Sequence, residues 1–269
     1  MSAEASQQTV AAAIRGALLT GPAMDKVRAA RAVARDWRAG RLAFAFDVAM
    51  PAAPARPEQP LLLAPNRMPK RGKAGSERGR IALWHALAHI EFMAIDLALD
   101  MAGRFGAERG SDFVSDFLAV AADEAMHFAV LARHLRGLGS CYGALPAHAG
   151  LWEAAESTSH DVAARLAVVP MVLEARGLDV TPATLTRIRA SGDETGARIL
   201  QRILDDEIRH VAIGTSHFVA ICREQEKTPE LCWQELVCTH FKGVLKAPFN
   251  DSARLAAGLS RDFYAAIAC

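Results

Sequence analysis

The amino-acid sequence predicts an all-α protein whose core is a bundle of four long helices. Apolar residues recur every three to four positions from about residue 77 to residue 226, and almost no stretch alternates with the period of two that is typical of strands. The same arrangement of polar residues also occurs twice on these apolar faces, 83 residues apart. With 269 residues, of which 51% are hydrophobic, the chain is long enough to bury a substantial core.

A helical appendage is predicted at the N-terminus, over 1–50. Ala- and Arg-rich segments with helical spacing cover 7–38 and predict two short helices, which are separated at the Thr-Gly-Pro of 20–22. A Pro-rich and basic linker, 51–76, is predicted to follow. Its first part, 51–69, contains six prolines, which are excluded from helix interiors and favour an extended chain.

The four-helix bundle itself is predicted to span 77–226. Glycine-rich stretches interrupt the helical pattern at Gly103–Gly110, Gly137–Gly150 and Gly177–Gly192. Because glycine favours turns over helix interiors, each stretch is predicted to separate two helices. Four long helices fit between these breaks.

Threonine-proline pairs predict two helix starts. At Thr181–Pro182 and at Thr228–Pro229 the threonine is predicted to be the N-cap and the proline the first helical residue. The second pair begins a C-terminal helical extension, predicted over 227–269. Pro170 lies inside the third long helix, where it removes a backbone hydrogen bond and is expected to cause a kink.

Two Glu-x-x-His motifs lie on apolar helix faces. Glu124 and His127 occur in "DEAMHFAVLARHL" (123–135), and Glu207 and His210 occur in "DEIRHVAIGTSHF" (206–218). The two segments share five identities in register, four of them polar or ionisable. A single Glu-x-x-His motif is usually a solvated face, but two copies on apolar faces indicate a common chemical role.

Each motif has a partner glutamate in the preceding helix. Glu91 precedes Glu124 by 33 residues, and Glu174 precedes Glu207 by the same distance. This equal spacing indicates an internal duplication of a helix pair. Six core-facing side chains are therefore candidate metal ligands: Glu91, Glu124, His127, Glu174, Glu207 and His210.

The chemistry of this set favours two metal ions. Residues three apart on a helix project from nearly the same face, so a Glu and a His with this spacing can bind one ion together. Four buried carboxylates cost too much free energy without compensating charge, and two divalent cations supply it. Carboxylates and imidazoles without thiolates suit iron or manganese, as in the di-iron and di-manganese helix bundles.

At these residues the chain resembles the ferritin-like superfamily of dimetal carboxylate proteins, and more closely DUF455, a bacterial ferritin-like family. More distantly it is similar to the tRNA hydroxylases that oxidise a methylthio-isopentenyl-adenosine. The resemblance begins at about residue 70, and it implies a ferritin-like four-helix bundle with a dimetal site. It is carried by "GRIALWHALAHIEFMAIDLALD" (79–100), "DEAMHF" (123–128), "HDVAARLAVVPMVLEARGLDVTP" (160–182), "ILDDEIRHVAIG" (203–214) and "KAPFN" (246–250).

Four more polar residues are candidates for holding the ligands in place by hydrogen bonding: Asp123, Asp206, His134 and His217. The alternative for the aspartates is a polar flank of the helix face, and the alternative for the histidines is a hydrogen-bonded position in the core. His85 and His89 share a neighbouring face of the first long helix, and we interpret them as core or interface histidines.

Neither of the two tyrosines, Tyr142 in a predicted loop and Tyr264 near the C-terminus, lies on a face that carries the candidate ligands. A stable tyrosyl radical is therefore not expected.

Global charge indicates no polyanionic partner, since 31 basic and 30 acidic residues give a formal net charge of +1. The segment 66–80 is locally basic, which favours a solubilising linker, with RNA contact as the alternative. The five cysteines form no Cys-x-x-Cys pair, which fits free thiols in a reducing compartment. Neither a secretory leader nor an apolar stretch of about 18 residues is present, so we expect a cytoplasmic protein without membrane association.

The leading functional hypothesis is a di-iron oxidoreductase of the monooxygenase or hydroxylase type. Its cofactor would be two Fe ions, with Mn or a mixed Fe/Mn pair as alternatives, and its partners would be dioxygen, an electron donor and an organic substrate such as a modified nucleoside. Two alternatives stay open: an iron-handling ferroxidase, and a structural protein that its metal stabilises.

Overall fold

The structure is a computed structural model that describes residues 7–69 and 76–268. These residues form helices, and their strand-like pairing is restricted to two isolated β-bridges, Thr9 with Ala43 and Leu62 with Ala147. The all-α prediction is thereby confirmed. The chain divides into two compact units, Met1–Ala149 and Gly150–Cys269.

Four helices make up most of the first unit. Its two long helices are joined by one residue, Gly110, whose φ of 89° is a conformation that favours glycine. Such a short connection makes the long helices direct neighbours, and the two shorter helices pack against them. The four are α1 (Val10–Leu18), α2 (Ala23–Arg38), α3 (Glu77–Arg109) and α4 (Ser111–Gly137).

The predicted helix break over Gly103–Gly110 is wrong in its extent, because α3 continues to Arg109. A Cβ atom at Gly103 would lie 2.4 Å from the Met50 sulfur, and one at Gly106 would lie 2.6 Å from the Phe46 ring. These glycines therefore allow close packing of the 46–50 segment on a continuous helix, and the turn is confined to Gly110.

A buried ion pair ties the N-terminal helices to α3. Lys26 Nζ lies 2.5 Å from Asp96 Oδ1 and also donates to the carbonyl oxygens of Ala55 (2.8 Å) and Leu18 (3.3 Å). Both charged side chains are fully buried, and this burial lowers the pKa of Lys26 and raises the pKa of Asp96. Since Ala55 belongs to the predicted linker, the start of that segment is held against the helices. The predicted domain boundaries at 50, 76 and 226 stay predictions.

Part of the predicted basic segment falls in the gap at 70–75, so Lys70, Arg71 and Lys73 lie outside the described residues. Within the described residues, α3 is the one helix that is long and apolar enough to cross a membrane by length and composition, but 67% of its most apolar window is buried inside the protein. Core helices have the same character. The cytoplasmic location stays a prediction.

The second unit contains the other two long helical stretches. One is α8, and the other is formed by α6, a π-helical segment and α7, which follow one another without a break. Pro229 is the first residue of α9, with Thr228 at the N-cap position, as predicted. The helices are α5 (Gly150–Glu156), α6 (Val162–Val168), the π segment (Val169–Glu174), α7 (Ala175–Ala190), α8 (Glu194–Glu224), α9 (Pro229–His240), α10 (Asp251–Ala256) and α11 (Arg261–Tyr264).

The helix start predicted at Thr181–Pro182 is wrong, as is the break predicted from Gly177, because Pro182 lies inside α7. A proline at this position cannot donate to the carbonyl oxygen of Leu178, four residues earlier. The side chain of Asn250 donates to that oxygen instead, at 3.1 Å. A residue 68 positions later in the sequence thus satisfies the carbonyl that the proline leaves without its usual donor.

The buried guanidinium of Arg254 holds the C-terminal extension against α7. Arg254 forms two hydrogen bonds with Asp179, at 2.8 and 2.7 Å, and its guanidinium lies over the rings of Phe249 and Tyr264. Asp179 also accepts from the backbone N–H of Asn250 at 2.9 Å. The "KAPFN" segment (246–250) is therefore held against α7 by the contacts of Asn250 with Leu178 and Asp179, just over one turn after Glu174.

Candidate metal centre

Three of the predicted ligands meet in the first unit. Glu91 extends from α3, and Glu124 and His127 extend from α4. His127 Nδ1 lies 3.3 Å from a carboxylate oxygen of Glu91 and 3.3 Å from one of Glu124. The ligand atoms of these three residues all lie within 4.8 Å of one another.

Helix geometry explains why these side chains converge. Glu124 and His127 are three residues apart on α4, so they share a face, and the one-residue turn at Gly110 brings Glu91 of α3 opposite them. Phe92 follows Glu91 on α3, and Phe128 follows His127 on α4. The two rings pack against each other with their centroids 5.2 Å apart. Aromatic packing therefore lies beside the polar cluster, and Glu124 and His127 are fully buried.

The cluster holds a positive charge tightly. Burial lowers the pKa of His127, but hydrogen bonds and charge from Glu124 and Glu91 outweigh burial and raise that pKa to about 11. In a metal-free chain at neutral pH this imidazole therefore carries a proton between two carboxylates. A metal cation that replaces this proton would be stabilised by the same two carboxylates.

The donor set fits a first-row divalent metal. Bonds of about 2.1 Å place donor atoms roughly 3 to 4 Å apart around one ion. The two nitrogen–oxygen distances of 3.3 Å lie within that interval. Two carboxylates and one imidazole, with no thiolate, are the donors expected for iron or manganese.

The second unit repeats the motif on α8. His210 Nδ1 lies 3.7 Å from a carboxylate oxygen of Glu207, and the imidazole is buried while the carboxylate is partly exposed. This helix begins at Glu194 and α4 begins at Ser111, so their starts are separated by the same 83 residues as their motifs. The duplication predicted from residue identities thus extends to the N-terminal ends of these helices.

Glu174 occupies a different kind of position from Glu91. It is the last residue of the π segment that begins beside Pro170, whereas Glu91 lies within the regular α3. The π segment packs closely on α8, because a Cβ at Gly214 would lie 2.4 Å from two atoms of the Pro170 ring. Pro170 therefore disrupts the helix as expected, in the form of a π turn, and short π turns are frequent at functional sites.

The structure shows one contact each for two of the four residues predicted to hold the ligands in place. Asp206 accepts a hydrogen bond from Arg202 Nε at 2.6 Å. The ring of His134 packs edge-on against Trp84, with centroids 4.6 Å apart. Asp123 and His217 are partly buried on their helices. The assignment of all these residues, and of the six ligands, stays a prediction.

Sequence reasoning gave too little weight to Tyr142. Its hydroxyl lies 3.0 Å from His89 Nδ1, and its ring packs against His85, Phe92 and Phe128. His85 accepts a backbone hydrogen bond from the same loop, at 3.0 Å from Gly143 N. The spacing of His85, His89 and Phe92 on one face of α3 was the available signal that a partner would cover this face.

Comparison with known proteins places the chain in a family. The profile described as "Protein of unknown function (DUF455)" matches residues 19–265. The chain belongs to DUF455. An uncharacterized protein of Haemophilus influenzae (strain ATCC 51907 / DSM 11121 / KW20 / Rd) is 45% identical to this DUF455 chain over 213 residues, which is 77% of this chain and 74% of that protein. No solved structure matches the DUF455 chain significantly.

Proposed function

We propose that this DUF455 protein is a non-haem dimetal carboxylate protein with a ferritin-like fold, which uses two iron ions to activate dioxygen for oxidation of an organic substrate. In this proposal each repeat supplies three ligands. The first repeat contributes Glu91, Glu124 and His127, and the second contributes the equivalent residues at positions 174, 207 and 210.

The observation that carries the proposal is the buried cluster in the first unit. Burying two carboxylates beside each other is unfavourable unless a positive charge lies between them. Glu91 and Glu124 share one imidazole at equal distances of 3.3 Å, and the sequence repeats this acid-rich set in the second unit, with one glutamate at the end of the π segment and a Glu-x-x-His motif on α8. A dimetal centre needs a second set of ligands, and the repeated residues supply one.

The chain's own residues would perform three tasks. The carboxylates supply negative charge that offsets two divalent cations, and the two histidines each provide a neutral nitrogen donor. The packed rings of Phe92 and Phe128 keep water away from one side of the cluster. Bound iron would supply the electrons that dioxygen chemistry requires, with an external donor restoring them.

The substrate class is proposed from resemblance. The likeness to tRNA hydroxylases favours a modified nucleoside, and the basic segment 66–80 would then contact phosphates. Manganese in one or both positions would leave the ligand assignment unchanged, because manganese uses the same donors.

Metal content tests the proposal directly. The full chain, purified from iron-supplemented cells, is expected to contain about two metal ions per molecule by mass spectrometry. Glu124→Gln, which keeps the size of the side chain but removes its charge, is expected to lose most of this metal. Asp112→Asn, an exposed change on the same helix, is the matched control and is expected to keep it. A wild-type content below about half an ion per chain would contradict the dimetal assignment.

Oxygen uptake separates an enzyme from the alternatives. Adding dioxygen to the anaerobic ferrous protein is expected to consume oxygen in proportion to bound iron. Oxidation of many ferrous ions per chain would indicate iron storage instead, and no uptake by the fully loaded protein would indicate a structural metal.

A further inference from the structure

Helix α2 carries a stripe of four arginines on its exposed side. They are separated by three, four and three residues, so on an α-helix they share an arc of about 80° and extend over about 15 Å. All four side chains are exposed, and Arg41, just beyond the helix, is exposed as well. The arginine stripe consists of Arg28, Arg31, Arg35 and Arg38.

The other side of α2 is apolar and packs inside the first unit. Val27, Ala30 and Val33 are buried, and Trp37 Nε1 donates a hydrogen bond to Ser115 of α4 at 2.8 Å. These contacts fix the orientation of α2, so the arginine stripe is held toward solvent. The candidate metal ligands of this unit lie on α3 and α4, and the stripe supplies none of them.

Acidic neighbours neutralise only part of the charge on this surface. Asp25 and Asp36 pair with three of the five exposed arginines. Within the residues that the structure describes, neither Arg31 nor Arg38 has a carboxylate partner. Exposed ion pairs contribute at most about 1 kcal/mol, so they exchange readily for a partner that carries more negative charge. Five arginines against two aspartates leave a local excess of three positive charges.

We propose that the arginine stripe binds the phosphate backbone of a structured RNA. A nucleic-acid strand presents about one phosphate per 3.4 Å of its axis, so a stripe of about 15 Å spans about four phosphates. Guanidinium groups match phosphate oxygens with two parallel hydrogen bonds, which an ammonium group cannot do, and every exposed basic residue of α2 is an arginine. The proposal rests on the nucleoside substrate proposed above, for which it supplies a docking surface.

The surroundings of the stripe favour RNA over a membrane surface. A helix that lies on a bilayer inserts apolar side chains among the lipids. The apolar residues of α2 face the protein interior instead, and within the described range 23–38 Met24 is the one large apolar side chain that is exposed. An anionic bilayer would therefore be attracted by charge alone, whereas RNA adds bidentate contacts along a line.

Filter binding of bulk tRNA to the full chain as purified tests this surface. Wild-type affinity is expected to fall with salt with a double-logarithmic slope of about −3 or steeper, as contact with about four phosphates requires. The double variant Arg31→Gln/Arg38→Gln is expected to bind about ten-fold or more weakly at low salt and to reduce the slope by about two. Arg133→Gln/Arg136→Gln, at two exposed positions of α4, removes the same charge and is expected to bind as the wild type does.

Protection from chemical modification identifies the arginines without any substitution. Phenylglyoxal modifies exposed guanidinium groups, and peptide mapping measures the modification at each position. Bulk tRNA is expected to protect Arg31 and Arg38 and to leave Arg133 reactive. Absence of protection on α2 would overturn the proposal, and so would equal loss of binding in the two double variants. A stripe variant that loses binding to phosphatidylserine vesicles but keeps its RNA binding would overturn it as well.

Failure of this proposal and failure of the proposed function are separate outcomes. Because the stripe contains no candidate metal ligand, its double variant is expected to keep its metal content and its oxygen uptake. Absence of metal in a wild-type chain that binds RNA through the stripe would contradict the metal centre alone. Unaltered RNA binding by the stripe variant of a metal-loaded chain would contradict the docking surface alone.

Discussion

Replacing Gly214 by alanine is expected to push the π segment away from α8. A Cβ at this position would lie 2.4 Å from both Cβ and Cγ of Pro170. Carbon atoms pack at about 3.5 to 4.0 Å, so a displacement of roughly 1 Å or more is needed. The proline ring is closed onto its own backbone, and the segment must therefore move with it.

Two free-energy terms oppose each other in this variant. Alanine in place of glycine inside a helix stabilises it by about 1 kcal/mol. Overpacking of a tight interior contact costs about 1–3 kcal/mol. Gly177→Ala in α7 isolates the first term, because a Cβ there meets nothing within 4 Å. The two variants are therefore expected to differ in free energy of unfolding by about 1–3 kcal/mol, with Gly214→Ala the less stable.

Urea unfolding of both metal-free variants measures this difference, and metal content measures its effect on the site. Glu174 ends the π segment only four residues after Pro170, so Gly214→Ala is also expected to bind less metal than Gly177→Ala. Equal unfolding free energies, within about 0.5 kcal/mol, together with equal metal content would refute the argument that this contact positions Glu174.

Three further predictions concern the first unit. Lys26→Met leaves the Asp96 carboxylate buried without its main partner, and it is expected to lower the free energy of unfolding by about 3–5 kcal/mol in urea titrations. Arg28→Met, which removes the exposed pair with Asp25, is the control and should lower it by less than about 1 kcal/mol. Burial lowers the pKa of His89 from 6.5 to about 4, so the folded state binds fewer protons than the unfolded state between these pH values. The free energy of unfolding is therefore expected to fall by up to about 3 kcal/mol as the pH drops from 6.5 to 4. His89→Gln should remove that part of the pH dependence in urea titrations, and an unchanged pH profile would contradict this assignment. If segment 66–80 contacts RNA, tRNA binding should weaken steeply between low and physiological salt in a filter-binding assay, and absence of binding at low salt would exclude RNA.

Periodicity and repetition were sufficient for the helical class and for one cluster of side chains. The Glu-x-x-His spacing of Glu124 and His127 depends only on local helix geometry, which sequence encodes directly. Placing Glu91 beside them needed only a short turn between two long helices. The structure brings these three residues together as the repeat predicted.

Long-range contacts account for what sequence reasoning got wrong. Glycine and proline predict helix breaks, but Gly103 makes room for the Met50 side chain, and the carbonyl oxygen that Pro182 leaves without a donor accepts a hydrogen bond from Asn250. In both cases the partner is tens of residues away, and no local pattern indicates it. The position of Tyr142 has the same origin, because a loop residue gains its surroundings from the helix it covers.

The π segment also changes the phase of the third long stretch. A π turn contains one residue more than an α turn, and each residue of an α-helix advances by about 100° around the axis. Side chains of α7 are therefore rotated by about one residue's step relative to an uninterrupted helix continued from α6. If the same residues formed a regular α-helix instead, Glu174 would point in another direction, although every ligand would still be present in the sequence.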